Sequence, residues 1–193
     1  LYQPAARLGL YAQVVEDVQL IRAEVDRCRR ILDRMHIDSM HQSDEEPVEV
    51  TSEELVEELK ADLKPSQPAM LDVTVSPVVS KMTVRRSALV QTLGILLQNA
   101  FDASEVGRTR VSLAIGREDD ELVFTVEDRG EGMTSEQLRR IGEPFVTTKG
   151  PQRGMGLGLF LARLMAEHLR GSLKLRSAVG KGTTCVLRFP SEP

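Results

Sequence analysis

The chain has 193 residues, 41% of them hydrophobic and 28% charged, with a formal net charge of -4; this is the balance of a globular protein and not of a disordered segment. Aromatic residues make up only 4%, Trp is absent and the basic residues are scattered, so the core is expected to be aliphatic and nucleic acid is disfavoured as the main partner. No run reaches the ~18 apolar residues that span a bilayer, no signal peptide opens the chain, and Cys28 and Cys185 have no metal-ligand spacing, which together predict reduced thiols in the cytoplasm.

Pro4 suits a first helical turn, and beyond it Val14, Val18, Ile21, Val25, Cys28, Leu32 and Met35 recur at alternating spacings of four and three. A lone helix buries such a seam poorly, so residues 1–42 are expected to form a long dimerisation helix that packs on a second copy, or else docks back on its own domain. His36 to Pro47 is polar and acidic and reads as a linker, with a second domain over residues 43–193.

In that domain the pattern predicts a strand at Val48 to Val50 and a helix to about Leu63, opened by a capping box at Thr51 and Glu54. Strands follow at Leu71 to Val75 and Met82 to Val84, then a helix from Arg86 to Ala103. A hairpin of Val111 to Ile115 and Leu122 to Asp128 is expected to turn at Arg117 to Asp120. A Gly-rich region from Gly130 to Gly158 leads into a helix ending near Leu169, and strands Ser172 to Arg176 and Thr184 to Phe189 close the chain. Helices and strands alternate without a GxGxxG or Walker turn, which favours a two-layer α/β sandwich with a mixed sheet over a doubly wound fold.

Four segments carry the candidate chemistry. Asn99, on a helix beside small Ala100, can offer an amide oxygen to a hard cation such as Mg²⁺, which arrives with substrate phosphates. Asp128, followed by Gly130 and Gly132 at a strand end, can accept a hydrogen bond from an exocyclic amino group while the glycines let backbone approach a flat ring. Phe145, Thr147, Thr148 and Lys149 put an aromatic ring, two hydroxyls and a cation on one loop, where they can meet phosphate charge. Gly154, Gly156 and Gly158 alternate with Met155 and Leu157 before Leu159 and a helix, exposing amides and a helix dipole to an anion. Singly, each also fits a bland alternative: a capping Asn, a plain turn, a solvated loop, a Gly-rich turn.

Their order and spacing resemble the ATP-binding superfamily shared by gyrase, Hsp90, MutL and the sensor histidine kinases. Asn99-Ala100 matches the N box, Asp128-Gly130-Gly132 the G1 box, Pro144-Phe145 with Thr147, Thr148 and Lys149 the F box, and Gly154 to Leu159 the G2 box, with Gly180-Lys181-Gly182-Thr183 similar to the glycine-rich turn near the domain's end. The F box and GxGLGL form are those of histidine kinases. The resemblance implies cofactors ATP and Mg²⁺. Asn99 would bind the metal, Asp128 read adenine and Phe145 pack the lid, while Lys149 with the amides around Gly154, Gly156, Leu157, Gly158 and Leu159 would hold the triphosphate, with Asp102 and Thr183 also at the nucleotide. It implies transfer of the γ-phosphoryl group to a histidine and on to a response regulator, with Asn99 and Lys149 as catalytic residues.

Several positions depart from that pattern. The family's acceptor histidine has no counterpart: His36 and His41 lie toward the linker and His168 in the last helix, so the chain is expected to be a fragment that binds Mg-ATP without phosphorylating itself, its membrane contact confined to a missing upstream part. Gln98 stands where related ATPases place a catalytic Glu, Ile95 where a second Asn is frequent, and Asp102 where Lys or Arg is frequent, a phosphate contact that Lys149 or Arg153 would have to replace. These three positions support a nucleotide-binding pseudokinase or scaffold as the alternative. The helix around Cys28 also looks like that of redox-responding proteobacterial sensor kinases, which implies a redox role for Cys28 beside its simpler use as a small seam residue.

Overall fold

The structure is a computed structural model that describes residues 45–104, 107, 109–147 and 156–191. The expected dimerisation helix, with its seam, Cys28, His36 and His41, lies outside the described residues.

The described chain opens with β1 (Val48–Thr51), whose last residue caps α1 (Ser52–Ala61). Thr51 Oγ1 accepts from the Glu54 amide and the Glu54 carboxylate accepts from the Thr51 amide, the reciprocal capping box expected from the sequence. Then come β2 (Leu71–Val75), β3 (Lys81–Val84), α2 (Arg86–Ser104), β4 (Val111–Glu118), β5 (Glu121–Asp128), α3 (Ser135–Arg140), α4 (Gly158–His168), β6 (Ser172–Ala178) and β7 (Gly182–Pro190). β1 and β3 pair antiparallel as a small ribbon. The main sheet runs β2-β4-β5-β7-β6, with β2 parallel to β4 and every other pair antiparallel. This is the expected α/β sandwich with a mixed sheet.

Period explains the two layers. Along α2 the buried positions include Leu89, Leu93, Leu96, Leu97, Ala100 and Phe101, a stripe at helical spacing. Along the sheet the core-facing positions alternate: Val111, Leu113 and Ile115 on β4, Leu122, Phe124 and Val126 on β5, Cys185, Leu187 and Phe189 on β7; Val123 is buried as well, on the other face of β5. Phe124 and Phe189 stack at 5.6 Å with nearly parallel rings, and with Phe101 they are the aromatic members of a mostly aliphatic core among the described residues.

Three local features differ from expectation. The β4–β5 hairpin is longer, pairing out to Glu118 opposite Glu121, because Arg188 of β7 reaches Glu118 at 2.7 Å and offsets the like charges at the hairpin end. The short helix α3 occupies part of what reads as a Gly-rich loop, opened by a second capping box between Thr134 and Gln137. Glu45, within the acidic stretch that reads as linker, is fastened to the domain: its carboxylate accepts from the Ser87 amide at 2.8 Å, at the start of α2. Arg85 donates to the Glu45 carbonyl at 3.2 Å and to the His168 carbonyl, at the end of α4, at 3.1 Å.

Candidate functional site

Asp128 is buried because of its parity. It continues the inward-facing series Leu122, Phe124, Val126 to the last residue of β5, so the strand turns a carboxylate where three apolar side chains precede it. Burial pushes its carboxyl above the ordinary value. Three donors work against that push: the Gly130 amide at 2.8 Å, and the backbone amide and hydroxyl of Thr183, which lies opposite Asp128 on β7; neighbouring Glu127 adds to the upward shift. A carboxylate held in this way is an acceptor aimed from an apolar wall.

The loop after Asp128 is pinned to the β6–β7 hairpin. The Gly180 amide donates to the Glu131 carbonyl at 2.7 Å, the Met133 amide donates to Ser177 Oγ at 2.9 Å, and Gly132, at φ +66°, lies so close to Ala178 that a Cβ there would be 2.7 Å from the Ala178 carbonyl carbon. Gly130 is likewise close against α2, where a Cβ would be 2.6 Å from the carbonyl carbon of Ala103.

Asn99 lies half-buried on α2. A Cβ on Gly158, the first residue of α4, would come 3.4 Å from Asn99 Nδ2 and 3.4 Å from Ile95 Cγ2. The start of α4 is thus seated directly on the Asn99 amide, and Leu157 at its N-cap supplies no side-chain acceptor for the first-turn amides. Gly156, at φ +68°, packs on the backbone of Phe145 and Val146, where a Cβ would be 2.6 Å from either carbonyl carbon. Segments far apart in sequence therefore meet: Asn99 with Gly158, Gly156 with Phe145 and Val146, Gly130 with the end of the Asn99 helix.

Other expected residues are placed as follows. Asp102 accepts from Gln98 Nε2 at 2.6 Å, one helical turn away. Phe145 adopts φ +67° and is 71% exposed. Thr147 is exposed, Leu157 buried, Leu159 half-buried against the core, and His168 exposed. Thr148, Lys149, Arg153 and Gly154 lie outside the described residues. Ser177 was not anticipated; it sits between the Met133 amide and Thr183, and no sequence signal beyond an inward-facing polar residue on β6 marks it.

The sequence profile of the histidine kinase-, DNA gyrase B- and HSP90-like ATPases matches residues 84–193, more than half of the chain. The chain belongs to this family. Within the family, the chain is 30% identical over 97 residues to sporulation kinase B of Bacillus subtilis, covering 50% of this chain and 22% of that protein. It is 37% identical over 97 residues to sporulation kinase A of the same organism, covering 50% and 16%. The chain therefore spans under a quarter of the length of these relatives. The catalytic domain of the histidine kinase ThkA superposes with a TM-score of 0.63 at 22% identity, over 76% of this chain and 96% of that one, a likeness of fold. The described domain is a histidine-kinase-type ATPase domain of this family.

Proposed function

We propose that the chain is the Mg-ATP-binding catalytic portion of a two-component sensor histidine kinase. In this reading residues 43–193 bind the nucleotide and residues 1–42 are the second helix of a dimerisation hairpin through which two copies associate. The γ-phosphoryl group passes to a histidine outside this sequence and thence to a response regulator. The observation that carries the reading is the seating of Gly158 on the Asn99 amide: it sets a helix N-terminus, a ready anion site, against the side chain suited to a hard cation.

On this reading Asp128 accepts from the adenine amino group, with the ring lying on Gly130 and Gly132. Thr147, Thr148, Lys149 and the amides from Gly154 to Leu159 hold the triphosphate, and Phe145 closes over it. The Asn99 oxygen suits Mg²⁺, and Gly158 lies so close to the amide that a Cβ there would just touch it, at 3.4 Å. A Mg²⁺ held by the Asn99 oxygen would supply neutralisation of the phosphate charge. The chain's own residues supply positioning and fixed dipoles, the terms on which in-line phosphoryl transfer depends. The setting would be the cytoplasm, with any membrane contact made through another part of the protein; among the described residues no helix is long and apolar enough to cross a membrane.

Calorimetric titration with a non-hydrolysable ATP analogue, with and without Mg²⁺, tests this on the unmodified chain and Asp128→Asn. Binding in the micromolar to sub-millimolar range that the variant loses is the expected result; an unmodified chain that does not bind refutes it. A second reading, a nucleotide-binding scaffold without transfer, draws on Gln98, whose amide cannot act as a general base and donates to the Asp102 carboxylate. Failure to phosphorylate a supplied acceptor hairpin, with nucleotide binding intact, would favour it.

A further inference from the structure

Ser177 gathers three contacts at one oxygen. It accepts from the Met133 amide at 2.9 Å, donates to the Gly182 carbonyl at 2.8 Å, and lies 3.0 Å from the Thr183 hydroxyl. Thr183 is the residue opposite Asp128, and its hydroxyl carries a single proton. An ionised carboxylate is a stronger acceptor than a serine oxygen, so that proton goes to Asp128. With its own proton donated to the Gly182 carbonyl, Ser177 Oγ stands 3.0 Å from Thr183 Oγ1 and fixes where that hydroxyl sits beside Asp128. The same serine ties down the Met133 amide at the far end of the loop that starts at Asp128. Both sides of the carboxylate, the glycine loop and the β7 hydroxyl, are thus indexed to one side chain on the edge strand β6.

We propose that Ser177 is a positioning residue for adenine recognition: through Thr183 and Met133 it holds the Asp128 carboxylate and the adjoining loop in the geometry that accepts the exocyclic amino group. The inference rests on the adenine-site reading given above. It says that base discrimination depends on a hydroxyl that touches no nucleotide.

The experiment compares a non-hydrolysable ATP analogue with the matching analogue of purine riboside triphosphate, which lacks the 6-amino group, by calorimetry on the full chain. Ser177→Ala is expected to weaken the adenine analogue about three- to tenfold, the scale of one hydrogen bond, and to leave the amino-free analogue within about twofold, because that ligand makes no donation to Asp128. Ser177→Thr, which keeps the hydroxyl, is expected to restore the ratio. If Ala impairs folding, as thermal unfolding will show, Ser177→Cys with its weak donor reads the same ratio. Equal weakening of both ligands would mean a merely structural serine and overturns the proposal, as does no change in either. Asp128→Asn separates the two levels: if it keeps full preference for the adenine analogue, the adenine-site reading fails and this inference with it. If it loses that preference while Ser177→Ala keeps it, only the inference fails.

Discussion

Replacing Gly132 by Ala tests whether the loop after Asp128 is truly locked to the β6–β7 hairpin. The residue sits at φ +66°, where an L side chain costs about 1–2 kcal/mol. Its new Cβ would be 2.7 Å from the Ala178 carbonyl carbon and 3.2 Å from the Gly182 carbonyl oxygen, distances that backbone on both sides must relieve by moving. Two hydrogen bonds flank the site, Gly180 to Glu131 at 2.7 Å and Met133 to Ser177 at 2.9 Å. Stretching both forfeits about 1 kcal/mol each, for a total of about 3–4 kcal/mol. For a domain of this size that lowers Tm by about 6–16 °C. Thermal and urea unfolding followed by circular dichroism are the assays. Gly116→Ala is the control, since a Cβ there meets nothing within 4 Å and the backbone conformation is ordinary. If Gly132→Ala unfolds within about 0.5 kcal/mol of the unmodified chain, the reasoning that joins this loop to the hairpin is wrong.

Gly158→Ala should leave stability within about 1 kcal/mol, since helix propensity favours Ala, yet displace the Asn99 amide by a few tenths of an ångström; titration with and without Mg²⁺ should show the metal-dependent gain reduced, and an unchanged gain would refute the coupling. Asp128 has its carboxyl raised by burial, so in the acidic window between its ordinary and its raised value the folded state holds a proton that the unfolded chain releases, and stability from this group falls as pH rises through the raised value, above which the carboxylate is ionised. The difference in Tm between the unmodified chain and Asp128→Asn should therefore move in favour of Asn with rising pH, and a difference that moves the other way would reverse the argument. Nucleotide affinity should follow the opposite course, rising as Asp128 ionises. The Cys185 thiol is buried and pushed up to about 12, first by burial and then by Asp128. In a Cys28→Ser background, labelling by a disulfide reagent should proceed only as fast as the domain unfolds, and complete labelling within minutes under native conditions would contradict the burial.

Much of this was legible from local pattern. The Thr51 and Glu54 box, the stripe on α2 and the alternation on β4 and β5 are one-dimensional signals that tertiary packing reinforced. Thr134 and Gln137 carried the same kind of box, but α3 buries no residue, and without an apolar stripe the surrounding glycines dominate the reading. The hairpin ends were misjudged because Arg188, distant in sequence, balances Glu118 and Glu121. At the site, the positions of Asn99, Asp128, Gly156 and Gly158 follow from spacing, and Asp128 also from its parity with Val126. Ser177 does not, since its partners Met133 and Thr183 become neighbours only once β6 pairs with β7.

Glu45 and Arg85 have a mechanical meaning. The chain enters the domain at the point where the first amides of α2 and the last carbonyls of α4 are gripped together. Asn99 rides on α2 twelve residues beyond Ser87, a lever arm of about 18 Å at helical rise. A tilt of about 5° at the grip swings the Asn99 amide by about 1.5 Å, more than the ~1 Å misplacement that can cost phosphoryl positioning a hundredfold. On the proposed reading, a tilt at the Glu45 and Arg85 grip would reach the nucleotide site from the other end of α2 without touching the nucleotide.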